Sequence, residues 1–412
     1  MRQRTPLVLL ESANLLSGVS NALVVVAVPW LILERGGTAA AAGLAGALAG
    51  LPGIVVSPLA GALVDRLGRR TVSIGSDLLS ALSVVLFPLL DLVGRLDVGL
   101  ILWLTVLGAA FDPAGYTARK SLIPDVVRAS GSNLDDVNGV HEGLLAAGWV
   151  VGPAVAALTI ATVGAVQTMW VAGVAFLVAA AAVWALGVPN RARTDDGGEP
   201  ADTRGSVWSF AVGGLRALVA DRPVWILTLA VAVLSLIYLP TESVLLPVHF
   251  EAQDQPGGFG LVLSALAAGG MVGSFGYGWL AARMSRYRIS TVFLSAACVA
   301  YLPMALLPPT PVMLGAAFLL GLAWGPMSPL LNALVQDRFP ADQHGRVYGV
   351  QQALFYAAPP LGQLLAGVAV VSFGVRAVFL ALAAAMVVTA AVVDLLPSLR
   401  GLDTTPAERM PG

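Results

Sequence analysis

The residues of this 412-residue chain best placed to do chemistry are acids in apolar surroundings: Glu11, Asp77, Asp112, Glu142 and Glu242 each interrupt a long apolar run. A charge at the centre of a bilayer costs about 2.5–3.5 kcal/mol or more, so an acid kept there is hydrated, paired or used. A carboxyl whose surroundings alternate between wet and dry takes up and releases a proton as they change. Asp112 and Glu242 lie deepest, beside Pro113 and Pro240, where a missing backbone donor permits bending and entry of water. These two are the first candidates for proton binding and coupling, followed by Glu142 and Glu11. Each acid also has a plainer role. Asp112 can pair with a neighbouring donor, and Glu242 can sit in interfacial water. Glu11 and Asp77 fall near one end of their runs, and His141 and Glu142 little more than a turn inside theirs, within reach of solvent.

Transmembrane helices must position these acids. The chain is 57% hydrophobic and 11% charged with a mean hydropathy of +0.83, whereas a soluble domain carries about a quarter charged residues. A span takes about 20 apolar residues. Spans are expected at 7–33, 40–63, 71–92, 98–119, 137–162 and 166–187, then at 223–249, 258–283, 288–309, 310–335, 346–372 and 374–396. The first is read as a span and not a removable signal, since no small-residue cleavage site follows it. Of the 23 Lys and Arg, all but Arg35, Arg95 and Arg376 fall in the termini, the even-numbered loops or the span ends beside them. Retained basic loops mark the cytosolic side, so both termini are expected there. At 1.5 Å per residue, Asp112 then lies about 21 Å below the outer end of span four, and Glu242 about 25 Å above the residue-225 level of span seven.

Residues 1–188 form one expected six-helix bundle and residues 223–412 the other. Residues 189–222 form a cytosolic linker, polar from Pro189 to Gly205. Within it Val207, Trp208, Ala211, Leu215, Leu218 and Val219 recur at helical spacing, as in an interfacial helix. A net charge of −1 implies no nucleic-acid partner. Cys298 is the single cysteine, so no intrachain disulfide forms, and His141, His249 and His344 are scattered without metal-ligand spacing. The only lysine, Lys120, follows Arg119, where a phosphate-binding loop needs glycine. No ATP site or cofactor is therefore expected, and uphill transport would draw on a gradient.

Residues Gly61 to Arg70 read GALVDRLGRR between spans two and three. Arg66, Arg69 and Arg70 require a cytosolic loop, Gly68 suits a tight turn, and Gly61 suits close helix approach. Asp65 is an acid in a loop that needs only positive charge. In span five Gly148 and Gly152 flatten one helix face and Pro153 adds a bend. GVHEG at Gly139–Gly143 returns as GVQQA at Gly349–Ala353, and the Gly61 loop returns in worn form as GWLAARMSRYR at Gly278–Arg288. Two parallel repeats related by an axis along the membrane normal are therefore expected.

The spacing G-x-x-x-D-R-x-G-R-R resembles the signature of major facilitator superfamily transporters, and Gly148–Pro153 is similar to the antiporter motif of drug exporters, with Ala156 and Ala157 replacing its last two glycines. The Ala27–Trp30 and Phe111–Ala114 segments resemble the third drug:proton antiporter group. TARKSLIPD (Thr117–Asp125), LDDVNGVHE (Leu134–Glu142), IATVGAVQTMW (Ile160–Trp170) and YLPTESVLLP (Tyr238–Pro247) resemble actinobacterial Tap-type multidrug efflux pumps. The resemblance implies an all-α integral membrane protein of 12 transmembrane helices in two pseudo-symmetric six-helix bundles. It also implies proton-driven export of drugs such as tetracyclines and aminoglycosides from the bacterial cytoplasm by a monomer. A siderophore or other metabolite exporter would share every motif. A membrane scaffold or receptor would need neither the Asp65 loop nor the buried acids.

Gly61, Asp65, Arg66, Gly68, Arg69, Arg70 and Arg119 make up the expected conformational latch. Asp65 would face the positive N-terminal end of span eleven, its carboxylate steadied by Arg69 or Arg119. Asn21, Trp149, Tyr238, Trp324, Phe355 and Tyr356 are candidates to line a drug cavity, although each also suits helix packing or lipid contact. Two departures stand out. Many relatives carry an Asp where this chain has Asn21. Other drug-antiporter groups carry an arginine near the middle of span four, where this chain has Leu104, its nearest basic residues being Arg119 and Lys120 at the expected span end.

Overall fold

The computed structural model describes residues 4–132, 134–188, 207–340 and 343–403. The expected linker Pro189–Gly205 lies outside them. Every long element is a helix: α1 Thr5–Glu34, α2 Ala39–Leu67, α3 Arg69–Leu92, α4 Val98–Ala109, α5 Asp112–Ser130, α6 Leu134–Val163, α7 Ala165–Trp184 and α8 Val207–Ala220. There follow α9 Arg222–Pro240, a π turn at Thr241–Leu245, α10 Leu246–Glu251, α11 Pro256–Ala281, α12 Arg286–Ala305, α13 Thr310–Trp324, α14 Met327–Arg338, α15 His344–Phe373 and α16 Val375–Asp394. Among the described residues, eleven helical stretches are long and apolar enough to cross a membrane. The 29-residue α2 is apolar over Ala39–Gly53.

Local chemistry sets the helix ends. Thr38, Asp97, Asp221 and Ser285 each accept a hydrogen bond from a backbone N–H three residues on, which satisfies a donor the first helical turn leaves free. Gly68 turns the chain between α2 and α3 at φ +87°, a conformation in which a Cβ is strained. The proline cluster after Ala305 ends α12, and α13 restarts at Thr310.

Three spans are interrupted. Span four, expected to end at residue 119, breaks between Ala109 and Asp112 and then continues to Ser130. Pro113 supplies no N–H to the turn before it. The Phe111 carbonyl accepts from Gly115 N–H (3.2 Å) and from Ser76 Oγ (2.5 Å). Span ten breaks at Gly325–Pro326, where Ser274 Oγ donates to the Gly325 carbonyl at 2.8 Å. Span seven passes through the π turn directly after Pro240. π turns of this kind are frequent at functional sites.

By packing, the chain divides into a first unit, Met1–Glu199 with Ser243–Ser264, and a second, Pro200–Glu242 with Ala265–Gly412. The boundary between Glu242 and Ser243 falls inside the π turn, so span seven is shared where continuity of sequence assigns it whole to the second bundle. In the first unit the Trp30 and Phe259 rings stack at 6.5 Å. Its core groups Leu10, Ala13, Leu122, Val126, Val137 and Val183, all buried. Lipid is as apolar as these side chains, so close backbone approach holds such helices together. Gly148 and Gly152 of the span-five motif provide it: a Cβ on Gly152 would lie 2.4 Å from the Ala22 Cβ, and one on Gly148 3.2 Å from the Gly18 carbonyl carbon. Gly152→Val should destabilise the protein by about 1–3 kcal/mol through overpacking. The thermal midpoint of detergent-purified protein checks this, and an unchanged midpoint would show that α6 can move away from α1 at no cost.

Candidate functional site

Down one face of α1 run Glu11, Asn14, Ser17 and Asn21, and each meets a polar partner from another helix of the first unit. Glu11 and His141 are both buried, with His141 Nδ1 3.2 Å from each Glu11 oxygen. Asn14 Nδ2 donates to the His141 carbonyl at 2.8 Å. Ser17 Oγ accepts from Arg119 Nη2 at 2.9 Å, while Arg119 Nη1 bonds both Asp77 oxygens at 2.9 and 3.0 Å. Arg119 and Asp77 are only 4% and 2% exposed, so this is a buried ion pair. At the top, Ser80 Oγ donates to Asp112 Oδ1 at 3.2 Å. The Asn21 amide, with its nitrogen turned toward the acid, donates to Asp112 Oδ2 at 3.0 Å. Asp112 opens α5, where an acid is favoured by the unpaired N–H groups of the first turn.

Arg119 is a correction to the sequence reading. It was expected at the inner end of span four; because α5 runs on to Ser130, it lies about three turns inside the helix. Its hydrogen-bond partners are Asp77 and Ser17. Arg69 bonds Asp125 at 3.1 Å, Arg70 donates to the Trp184 carbonyl, and Arg66 is exposed. The side chain of Asp65, like position 61, lies outside the described residues. Glu142 is half exposed and pairs with Lys120 at 2.7 Å, with the Tyr116 hydroxyl 3.3 Å away. It belongs to a solvent-exposed ion pair about two turns into α6 and is not a buried acid. The spacing of three, three and four among Glu11, Asn14, Ser17 and Asn21 is the readable signal for this column on the largely apolar α1. On α3 the stripe Ser73, Ser76, Asp77, Ser80 and Ser83 gives a second such signal; the partners on α5 and α6 carry none.

In the second unit Glu242 occupies the π turn and accepts from the Tyr238 hydroxyl. Thr241 Oγ1 lies 2.6 Å from the Tyr301 hydroxyl. The Tyr238 and Trp324 rings stand 6.1 Å apart. Phe355 is half-buried, while Trp149 in the first unit and Tyr356 in the second are exposed. Exposed aromatic side chains on long apolar helices suit lipid contact as well as a cavity wall.

The repeats can be put in register by contacts that recur inside each unit. Arg69–Asp125 in the first is matched by Arg286–Asp337 in the second. Glu11–His141 is matched by Thr228–Gln351, bonded at 2.9 Å. In that register Ser17, Asp77 and Arg119 correspond to Leu234, Leu294 and Leu331, all buried. Asn21 and Asp112 correspond to Tyr238 and Trp324. The same helical positions are thus polar or charged in one unit and apolar or aromatic in the other.

A helical membrane protein with duplicated bundles, broken spans and intramembrane acids has the construction of a transporter. The chain belongs to the Major Facilitator Superfamily, whose family description matches residues 10–362; it is a transporter and not an enzyme. It is 38% identical over 409 residues to the multidrug efflux pump Tap of Mycolicibacterium fortuitum, covering 97% of this chain and 98% of that one. It is 39% identical over 410 residues to the pump of the same name in Mycobacterium tuberculosis, covering 98% and 96%. Among solved structures, a mutant of the nucleoside transporter NupG is similar in fold, with a TM-score of 0.80 at 11% identity over 94% of this chain and 98% of that one. A bacterial homologue of the human lysosomal transporter Spinster gives 0.75 at 14% identity over 98% and 99%.

Proposed function

We propose that this protein exports small-molecule drugs across the bacterial cytoplasmic membrane in exchange for protons, by alternating access and without a bound cofactor. The observation that carries drug export is near-full-length identity of 38–39% to multidrug efflux pumps. Proton coupling is supported by Asp112, held by Ser80 and Asn21 at the break in span four, and by Glu242 in the π turn of span seven. The family resemblance favours tetracyclines and aminoglycosides as substrates. The neighbouring rings of Tyr238 and Trp324 in the second unit suit the fused ring system of a tetracycline. The Asp65 loop acts on the alternating-access equilibrium, both termini are cytosolic, and the working form is a monomer.

Inside-out vesicles separate these readings. With an imposed proton gradient they should accumulate tetracycline, and the accumulation should collapse with the gradient. Accumulation of a siderophore alone would replace drug export by metabolite export. No movement of any compound would remove both. For topology, cysteines introduced between residues 189 and 205 should resist an impermeant thiol reagent added outside intact cells; labelling there would reverse the orientation.

A further inference from the structure

The Glu11–His141 pair is buried among Leu10, Ala13 and Val137, about 15 Å along α1 from Asn21 and Asp112. Two features set it apart from ordinary helix packing. The second unit makes the matching contact with two neutral groups, Thr228 and Gln351, so the fold does not require ionisable residues there. In addition, His141 Nε2 is buried with no hydrogen-bond partner among the described residues, as are Asn14 Oδ1, Arg119 Nε and Ser73 Oγ. These four atoms belong to the same helices as the polar column. Buried polar groups are almost always satisfied by protein or by ordered water, and a run of leftover donors and acceptors is where water binds in an apolar bundle.

We propose that Glu11 and His141 form a proton-binding pair at the far end of a hydrated polar column in the first unit, and that this column exchanges protons with Asp112. The proposal deepens the proton-coupled reading above and rests on it. With Glu11 ionised, the imidazole proton sits on Nδ1, facing both carboxylate oxygens, and Nε2 keeps its lone pair. A proton arriving at Nε2 makes imidazolium. Transfer of the Nδ1 proton to Glu11 then leaves a neutral imidazole beside a neutral carboxyl, so one proton has been gained and none lost. The charged groups on the surrounding elements are Asp77 on α3, Arg119, Lys120 and Asp112 on α5, and Asp135, Asp136 and Glu142 on α6 itself; α7 carries none between Ala165 and Trp184. Asp77 and Arg119 neutralise each other, as do Lys120 and Glu142. The farther acids and bases are Asp125 with Arg69 and Arg128, Arg70 at the start of α3, Asp65 and Arg66 at the end of α2, and His249 and Glu251 on α10.

The chain holds three histidines, so imidazole nitrogen resonances of the labelled full-length protein in lipid nanodiscs can be assigned by substitution. One pair of resonances, absent from His141→Gln, should report a proton on Nδ1 and a lone pair on Nε2, and should move in Glu11→Gln, which removes the carboxylate facing Nδ1. In inside-out vesicles each variant should slow proton-driven tetracycline accumulation by about tenfold or more, while tetracycline flux down its own gradient persists. Glutamine preserves the kind of neutral hydrogen bond the second unit already uses, so folding is retained. A His141 resonance with its proton on Nε2, or a Glu11→Gln/His141→Gln double variant that accumulates drug at the unaltered rate and pH profile, would overturn the proposal. The resonance measurement needs no substrate, so its outcome is independent of whether tetracycline is exported.

Discussion

Arg119→Leu should destabilise the first unit severely, and adding Asp77→Leu should recover most of the loss. The single change leaves Asp77, 2% exposed, without its guanidinium partner; breaking a buried pair in this way typically costs about 3–5 kcal/mol. The double change removes both charges together. Replacing a buried ion pair by apolar residues of similar volume is often neutral or stabilising, and here the protein supplies its own precedent. Leu294 and Leu331 fill the corresponding positions of the second unit, with Leu234 in place of Ser17. Thermal unfolding of the two variants and of Asp77→Leu completes a double-mutant cycle. A double variant no more stable than Arg119→Leu would mean that the pair is held by geometry a leucine cannot reproduce. The stable double variant should still fail to accumulate drug, because it interrupts the polar column between Glu11 and Asp112.

The second large effect is expected at the two deepest acids. Asp112→Asn keeps an acceptor for the Ser80 hydroxyl, and its new NH2 is satisfied when the Asn21 amide turns its oxygen toward it; Glu242→Gln keeps an acceptor for the Tyr238 hydroxyl. Each should lower gradient-driven accumulation of tetracycline by about tenfold or more while binding of the drug is retained. A coupling residue acts by changing protonation state as its surroundings change, and an amide cannot do so. Binding measured by equilibrium dialysis and uptake measured in inside-out vesicles separate the two properties. If both variants still accumulate drug in a pH-dependent manner, the coupling role passes to Glu11.

The broken spans explain why these acids are tolerated. Asp112 and Glu242 sit where proline has removed a backbone donor and the helix has changed geometry, at the Ala109–Asp112 break and in the π turn after Pro240. Unpaired backbone groups draw in water and side-chain hydroxyls, which lowers the cost of keeping a carboxyl at that depth. Gly362 packs so closely on the Leu236 carbonyl that a Cβ there would lie 1.9 Å from it. Close backbone packing thus stands directly before the weakened stretch of span seven.

By itself the sequence determined the features that rest on composition and backbone chemistry. Run length and apolarity gave the spans, the basic loops gave the expected orientation, and Gly68, Pro113, Pro240 and Pro309 marked turns and breaks because a missing Cβ or a missing N–H acts locally. The duplicated motifs announced two related halves. Tertiary structure alone decided which polar groups meet. Glu11 finds His141 and Asp77 finds Arg119 across long stretches of chain, and those pairings depend on how each helix is rotated about its axis. A soluble helix betrays its rotation by presenting one apolar face and one polar face. Lipid and core make the same demand, so most of these helices lack such faces. α3 is an exception, with Ser73, Ser76, Asp77, Ser80 and Ser83 buried on one side and Leu78, Leu79 and Leu82 exposed on the other, whereas α5 carries little sign of which way Arg119 points. The polar stripes on α1 and α3 and the leucines at Leu234, Leu294 and Leu331 hinted that one half is polar where the other is apolar, and that contrast acquires physical meaning only once the helices are packed.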